Sequence, residues 1–184
     1  MDLSQLIYPL TIMVHVIAVA IAVGTVTVVD YLHIRSFKNK SLEKTTLKVN
    51  PYLSQIIIGS LVLIILTGSI MVYLTPSFLQ SSIFQLKLSL VAIIILNSIV
   101  LHKIVAPGME KCILNPSKEN CTKSFVLNSS FFGSLSIVTW YAIFILALTK
   151  HLGYTVPQFI SAYIIVFAIA FFTAYSMEKH RVHS

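Results

Sequence analysis

The sequence predicts an all-α integral membrane protein, a bundle of five transmembrane helices with the N-terminus outside and the C-terminus cytoplasmic. Composition is the first indication. Of 184 residues, 57% are hydrophobic and only 10% are charged, whereas a soluble domain usually carries about 25% charged residues. The second indication is five long apolar runs, each close to the roughly 20 residues that a helix needs to cross a bilayer. These runs and their loops fill the chain, so residues 1–184 are predicted to form a single transmembrane domain.

Helix-ending residues separate the five predicted spans, which cover about residues 9–31, 53–74, 84–105, 124–149 and 157–177. Pro9 and Pro157 suit the first turn of a helix, where the missing N–H has no cost. Pro107-Gly108 is expected to close the third span. The first span has no basic segment before it and no obvious small-residue cleavage site, so we expect it to remain in the mature protein.

The basic residues predict the orientation. Eleven of the 13 Lys and Arg residues follow spans one, three and five, and only Lys87 and Lys150 fall on the other side. The positive-inside rule therefore makes those loops and the C-terminus cytoplasmic. The net charge of +7 is interpreted as a topology signal and not as a nucleic-acid surface. We expect a multi-pass protein of the cell membrane, whose partners are the lipid bilayer and either a membrane-protein partner or further copies of itself.

The loop after span three has features of the opposite side of the membrane. It carries Cys112 and Cys121, and Asn120-Cys121-Thr122 is a glycosylation sequon. Both features suit an outside loop, but the basic residues outweigh them, so reduced thiols and an unused sequon are expected. Two cysteines at this spacing are a weak indication of zinc, which usually takes four ligands.

Ionisable residues inside apolar runs are costly, and each requires a polar lining or an escape to the interface. Six such residues occur: His15, Asp30, His33, Lys87, His102 and His151. Four of them lie at span ends, where snorkelling to headgroups or water is the simpler interpretation: Asp30, His33, His102 and His151. His33 lies on the same helix face as His15 but five turns away. His33 and His102 could therefore form a second metal site near the cytoplasm.

His15 lies too deep to reach water easily, about 10 Å inside the outer boundary of span one. Its face continues through Ala18, Ala22 and Thr25, small residues that let a flat group or another helix approach closely. An imidazole bonded to a neighbouring helix and a metal or haem ligand are both consistent with this position. Lys87 lies within about a turn of the same depth, so its ammonium either points to headgroups or pairs with a carboxylate such as a haem propionate.

Span four carries a small and polar face formed by Ser129, Gly133 and Ser136, and this face ends at Trp140, the only tryptophan. Trp140 lies too deep for an interfacial position, so it is expected to pack in the bundle at the level of His15. Tight helix packing and contact with a cofactor would both use this face.

Three segments resemble the HemJ-type protoporphyrinogen oxidases and the copper-resistance protein D-like domains. They are His15-Val-Ile-Ala-Val-Ala in span one, Ile65-Leu66-Thr67-Gly68 in span two and Lys87-Leu88-Ser89-Leu90 in span three. The resemblance covers about the first 105 residues. It implies that His15 is associated with haem b and that Lys87 is associated with activity.

Two functions of different classes are consistent with these residues. The first is a haem b membrane redox protein that passes electrons between a quinol or porphyrinogen-like reductant and a membrane or outside acceptor. Its candidate residues are Lys87 for catalysis; His15, Lys87 and Trp140 for the cofactor; and His15, His33 and His102 as metal ligands. The second is a non-catalytic helical subunit of a larger membrane complex, whose polar residues satisfy one another across helices. No motif typical of soluble enzymes is present.

Overall fold

The computed structural model describes residues 3–36, 40–114, 122–149 and 153–183, which are almost entirely helical. The α-helices are α1 (Leu3–Ser36), α2 (Lys40–Leu74), α3 (Ser82–Val100), α4 (Ala106–Leu114), α5 (Lys123–Leu148) and α6 (Val156–His183). A short 3₁₀ helix, Pro76–Gln80, links α2 to α3, and a π-helix, Leu101–Val105, joins α3 to α4. Within the described ranges, five helical segments are long and apolar enough to cross a membrane, α3 to α4 forming one of them. The predicted all-helical membrane class is confirmed.

Several helices extend beyond the predicted spans. α1 begins at Leu3, so Pro9 lies inside the helix and not at its first turn, whereas Pro157 does lie in the first turn of α6. α2 begins at Lys40, well before the predicted start near residue 53. Because the backbone of a helix is hydrogen-bonded within the helix, a polar end can continue past the bilayer. Hydropathy finds only the apolar part of such a helix.

The third span does not end at Pro107-Gly108, where closure was predicted. Both residues lie in α4, and the chain remains helical to Leu114. Proline lacks an N–H and its ring crowds the carbonyl four residues earlier. The π-helix directly before α4 provides a wider turn that accommodates the proline without breaking the helix.

The helices form a bundle in which α1 and α2 pack as an antiparallel hairpin and α5 contacts α1, α3 and α6. Eight buried residues of α1, α2, α3 and α5 form the central apolar cluster: Ala18, Ala22, Val23, Val26, Leu61, Ile64, Ile94 and Trp140. α6 lies at the periphery. Among its described side chains, only that of Glu178 is buried.

The predicted contact face of α5 is only partly correct. Ser129 and Trp140 are buried, but an added Cβ at Gly133 would meet nothing within 4 Å. The absence of a side chain at Gly133 therefore does not serve helix approach. Because α5 packs against three helices, its buried surface is broad and also includes Ser130 and Thr139.

Gly108, in contrast, lies where a side chain would collide with a neighbour. A Cβ at this position would come within 2.5 Å of the Phe125 ring. We expect Gly108→Leu to lower the free energy of unfolding by about 1–3 kcal/mol, because the ring must move in a packed region. Thermal unfolding in detergent measures the effect. Gly133→Leu is the matched control and should change stability less; equal losses for the two variants would contradict the packing at Gly108.

Cys112 is buried and disulfide-bonded, so the expectation of a reduced thiol is wrong for this residue. That expectation rested on assigning the loop to the cytoplasm, where thiols are kept reduced. A bridge requires suitably placed Cβ atoms and also an oxidising environment. Cys121 and the sequon asparagine Asn120 lie outside the described residues.

Candidate functional site

His15 is held by a hydrogen bond between the first two helices. Its Nδ1 lies 2.8 Å from the hydroxyl oxygen of Thr67 in α2. Thr67 is 6% exposed, and His15 is half-buried. At 1.5 Å per residue, His15 lies about 14 Å along α1 from Leu6, where the span begins. The imidazole is therefore fixed in the half of the bundle that contains the N-terminal end of α1.

The partners of Thr67 determine which imidazole nitrogen carries the proton. The Thr67 hydroxyl lies 2.7 Å from the carbonyl oxygen of Leu63 and 3.2 Å from that of Ile64. Since a hydroxyl has one proton, and this proton is donated to the backbone, Thr67 accepts the hydrogen bond from His15. Nδ1 of His15 is then the protonated nitrogen, and Nε2 has the free lone pair. This arrangement presents Nε2 as a ligand atom.

The surroundings of the imidazole differ on its two sides. Gly68 lies beside the ring, and a Cβ added there would be 3.8 Å from Cε1 of His15. Ala18 and Ala22 are 1% and 0% exposed and pack in the central apolar cluster with Leu61 and Ile64 of α2. The sequence left open whether Ala18 and Ala22 face a flat group or another helix. In the structure they face α2. A flat ligand is therefore excluded from the Ala18 and Ala22 face.

Lys87 is brought near His15, as the depth of the two residues predicts. Lys87 is half-buried in α3 and is close enough to interact electrostatically with the imidazole. The Ser82 end of α3 follows the short 3₁₀ helix after α2, which places Lys87 at the same end of the bundle as Thr67. His15, Thr67, Gly68 and Lys87 thus form one polar group, here called the His15 cluster.

The other predicted site residues lie elsewhere. Trp140 is 3% exposed and belongs to the central apolar cluster. His102 is exposed on the π-helix, and His33 is half-buried near the end of α1. His151 and Lys150 lie outside the described residues. Over the part of the chain that the structure describes, no three His, Cys, Asp or Glu side chains are grouped as metal ligands.

Asp30 and Asn97 show a polar feature that the sequence analysis missed. The Oδ2 atom of Asp30 and the Oδ1 atom of Asn97 are both buried and have no hydrogen-bond partner in the described part of the chain. Asn97 is 4% exposed, and its Nδ2 donates to the backbone oxygen of Phe132 at 3.1 Å. The expectation that Asp30 snorkels to water is therefore not met for this oxygen. Buried polar atoms are normally paired, so these two require an explanation.

Glu178 is a second buried carboxylate that the sequence analysis did not select. It is 6% exposed, and its two oxygens accept hydrogen bonds from Ser129 at 2.8 Å and Ser130 at 2.6 Å. Lys179 follows Glu178 directly in the sequence, a pattern typical of a polar tail after the last span. The adjacent serines on α5 were the only sequence indication of a partner. The three residues are called the α5–α6 clamp.

Hydrogen bonds between hydroxyl groups also connect the helices. Thr27 of α1 bonds to Tyr141 of α5 at 2.8 Å, and Thr139 of α5 bonds to Tyr163 of α6 at 2.9 Å. Such bonds contribute about 0.6 kcal/mol each on average in membrane proteins. These bonds hold the helices in position and do not indicate a catalytic or ligand-binding site.

No protein family model, curated protein or solved structure matches the chain.

Proposed function

We propose that the chain is a haem b-binding membrane redox protein that passes electrons between a quinol or porphyrinogen-like reductant and a membrane or outside acceptor. The observation that carries the proposal is the hydrogen bond from His15 Nδ1 to Thr67. Ligating histidines usually donate their second ring N–H to a protein oxygen, which fixes the tautomer and the ring orientation. In His15 the same arrangement leaves Nε2 as the nitrogen with a lone pair for a ligand.

The residues present fit one axial ligand and one cationic partner of a haem. Nε2 of His15 is the donor type that haem iron takes in many proteins. Gly68 packs against the ring edge: a Cβ added there would lie 3.8 Å from Cε1, an ordinary contact distance. Lys87, close enough to His15 for electrostatic interaction, would hold a propionate by a charge-assisted hydrogen bond. The buried alanine face of α1 excludes a haem on the opposite side.

Each residue of the His15 cluster then has a definable role. When bound, the haem would supply one-electron redox chemistry. Thr67 holds the imidazole in the Nδ1–H tautomer and orients it, which raises its basicity as a ligand. Lys87 supplies positive charge that favours the electron-rich state of a nearby group. The central apolar cluster, including Trp140, excludes water from the inner side of the site.

An absorption spectrum of the protein purified in mild detergent after expression in a haem-competent host tests the proposal. A Soret band with a reduced-minus-oxidised difference spectrum typical of haem b, at about one haem per chain, is the expected result. A protein that is folded by circular dichroism and has no such band after haem reconstitution would exclude the proposal.

One observation favours the second function, a non-catalytic helical subunit. Thr67 already satisfies one nitrogen of His15, as expected for a buried imidazole that only joins two helices. In that case Thr67→Val should lower the stability of the α1–α2 hairpin, and the spectrum should lack haem. Co-purification with a larger membrane complex from native membranes would then be the expected behaviour.

We also propose that the N-terminus faces outside and that the C-terminus is cytoplasmic in the cell membrane. Exposed positions at the two ends of the bundle allow a test: Ser81 lies between α2 and α3, and Lys111 lies in α4. In a background with Cys112 and Cys121 replaced by serine, Ser81→Cys should react with a membrane-impermeant maleimide in intact cells. Lys111→Cys should react only after lysis, because the positive-inside rule assigns its loop to the cytoplasm. The reverse pattern of labelling would invert the topology.

A further inference from the structure

Exposed basic side chains collect at one end of the bundle. The chain turns back between α1 and α2 and again between α2 and α3, so the end of α1, the start of α2 and the end of α3 share that end. The exposed cations described there are Arg35 in α1, Lys48 in α2, Lys103 in the π-helix, Lys111 in α4 and Lys123 in α5. Near the opposite end, the only charged residue whose side chain the structure describes is Lys87, which is half-buried.

Contacts between the helices join the lysine-bearing segments into one surface. α4 contacts α2, and the backbone of Gly108 in α4 lies against the ring of Phe125 in the first turn of α5. Lys111 follows Gly108 by three residues and therefore lies on the side of α4 nearest α5, while Lys123 precedes Phe125 by two residues. Among the side chains described at this end, Glu110 is the only exposed carboxylate. The surface formed by Lys48, Lys103, Lys111 and Lys123, here called the lysine surface, is therefore net positive.

The lysine surface lies at the depth of the lipid headgroups. The third span, Ser82–Cys112, has 31 residues and is about 46 Å long at 1.5 Å per residue. The hydrocarbon core is about 30 Å thick and takes up about 20 residues, so the last part of this span, with Lys103 and Lys111, extends into the headgroup layer. Tyr31 marks the same layer independently. It is 54% exposed, and the Arg35 guanidinium lies over its ring at 5.8 Å, an arrangement typical of a membrane interface.

We propose that the lysine surface binds the headgroups of anionic phospholipids, with the ammonium groups donating hydrogen bonds to phosphate oxygens. Electrostatic attraction to an anionic membrane surface extends over a Debye length of about 10 Å, which is close to the distance between packed helices. Charges on neighbouring helices therefore act together. Lipid phosphate is favoured over a soluble polyanion because all four lysines belong to the ends of membrane spans. The surface lies at the opposite end of the bundle from Lys87 and does not depend on haem binding.

Thermal unfolding of the full chain in micelles of non-ionic detergent and phospholipid tests the lysine surface. Replacing phosphatidylcholine by phosphatidylglycerol should raise the melting temperature of the wild type by about 2–4 °C, because a ligand that binds only the folded state stabilises it. The variant that combines Lys48→Gln, Lys103→Gln, Lys111→Gln and Lys123→Gln should melt at the same temperature with either lipid. Arginine at the same four positions is the matched control. It keeps the charge and should keep the response to phosphatidylglycerol.

Mass spectrometry of the intact protein released from these micelles counts the bound lipids directly and needs no variant. Wild-type protein should retain phosphatidylglycerol in preference to phosphatidylcholine, and Lys111→Gln alone should weaken the retention about fivefold. Equal retention of the two lipids by the wild type would overturn the proposal. So would a preference for phosphatidylglycerol that persists in the variant with four glutamines. Stabilisation of the wild type by single-stranded RNA as large as that by phosphatidylglycerol would also overturn it, since the partner would then be a soluble polyanion.

Discussion

His15→Ala should abolish the Soret band of the purified protein, because the proposed haem loses its only axial ligand within the His15 cluster. The structure presents Nε2 of His15 as the free nitrogen and holds Nδ1 against Thr67 at 2.8 Å. Loss of a first-coordination histidine removes the metal, whereas loss of its outer hydrogen-bond partner typically lowers affinity by about 10–100-fold. Thr67→Val should therefore retain haem after reconstitution at high haem concentration and lose it on dilution.

Lys87→Ala and His102→Ala separate the roles around the proposed haem. Lys87→Ala should keep the Soret band but shift the reduction potential, because a positive charge near the cofactor is removed. His102 is exposed on the π-helix, so His102→Ala should change neither absorbance nor potential. An unchanged Soret band in His15→Ala would mean that the ligand lies elsewhere, with His33 and His102 as the next candidates. Difference spectra and redox titration measure all of these outcomes.

The sequence was sufficient to predict the helical class and the depth of polar residues. Five apolar runs predicted five spans, and counting residues from the span ends placed His15 and Lys87 at similar depth, where the structure brings them together. Depth follows from the 1.5 Å rise per residue and needs no tertiary information. Thr67 and Gly68 were named only as part of a resembling segment and were not predicted to contact His15, because nothing in the sequence showed which helix α1 would contact.

The direction in which a side chain points around its helix could not be predicted in the same way. Asp30 and Glu178 both lie near span ends, where snorkelling is the usual behaviour, yet both have buried oxygens. Whether a carboxylate reaches water depends on which neighbour covers that face of the helix. In apolar helices the hydrophobic pattern does not distinguish a lipid-facing side from a buried one. Gly133 was wrongly selected as a contact for the same reason.

The α5–α6 clamp should contribute the largest single stabilisation of the peripheral helix. Glu178 is the only buried side chain described in α6, and both of its oxygens depend on serines of α5. Ser129→Ala combined with Ser130→Ala should lower the free energy of unfolding by about 3–5 kcal/mol, because a buried carboxylate is left without its hydrogen-bond donors. Thermal unfolding in detergent, together with the rate of proteolysis between α5 and α6, measures the loss.

A third substitution distinguishes the unpaired carboxylate from simple loss of packing. Adding Glu178→Leu to the double serine variant removes the buried charge and supplies an apolar side chain, so much of the lost stability should return. Ser69→Ala is the control, because the Ser69 hydroxyl is exposed and bonds only to the Ile65 carbonyl of its own helix at 2.8 Å. Its effect should stay within about 0.5 kcal/mol. If Glu178→Leu instead lowers stability further in the double serine variant, the carboxylate must have partners other than Ser129 and Ser130, and α6 must be held in another way.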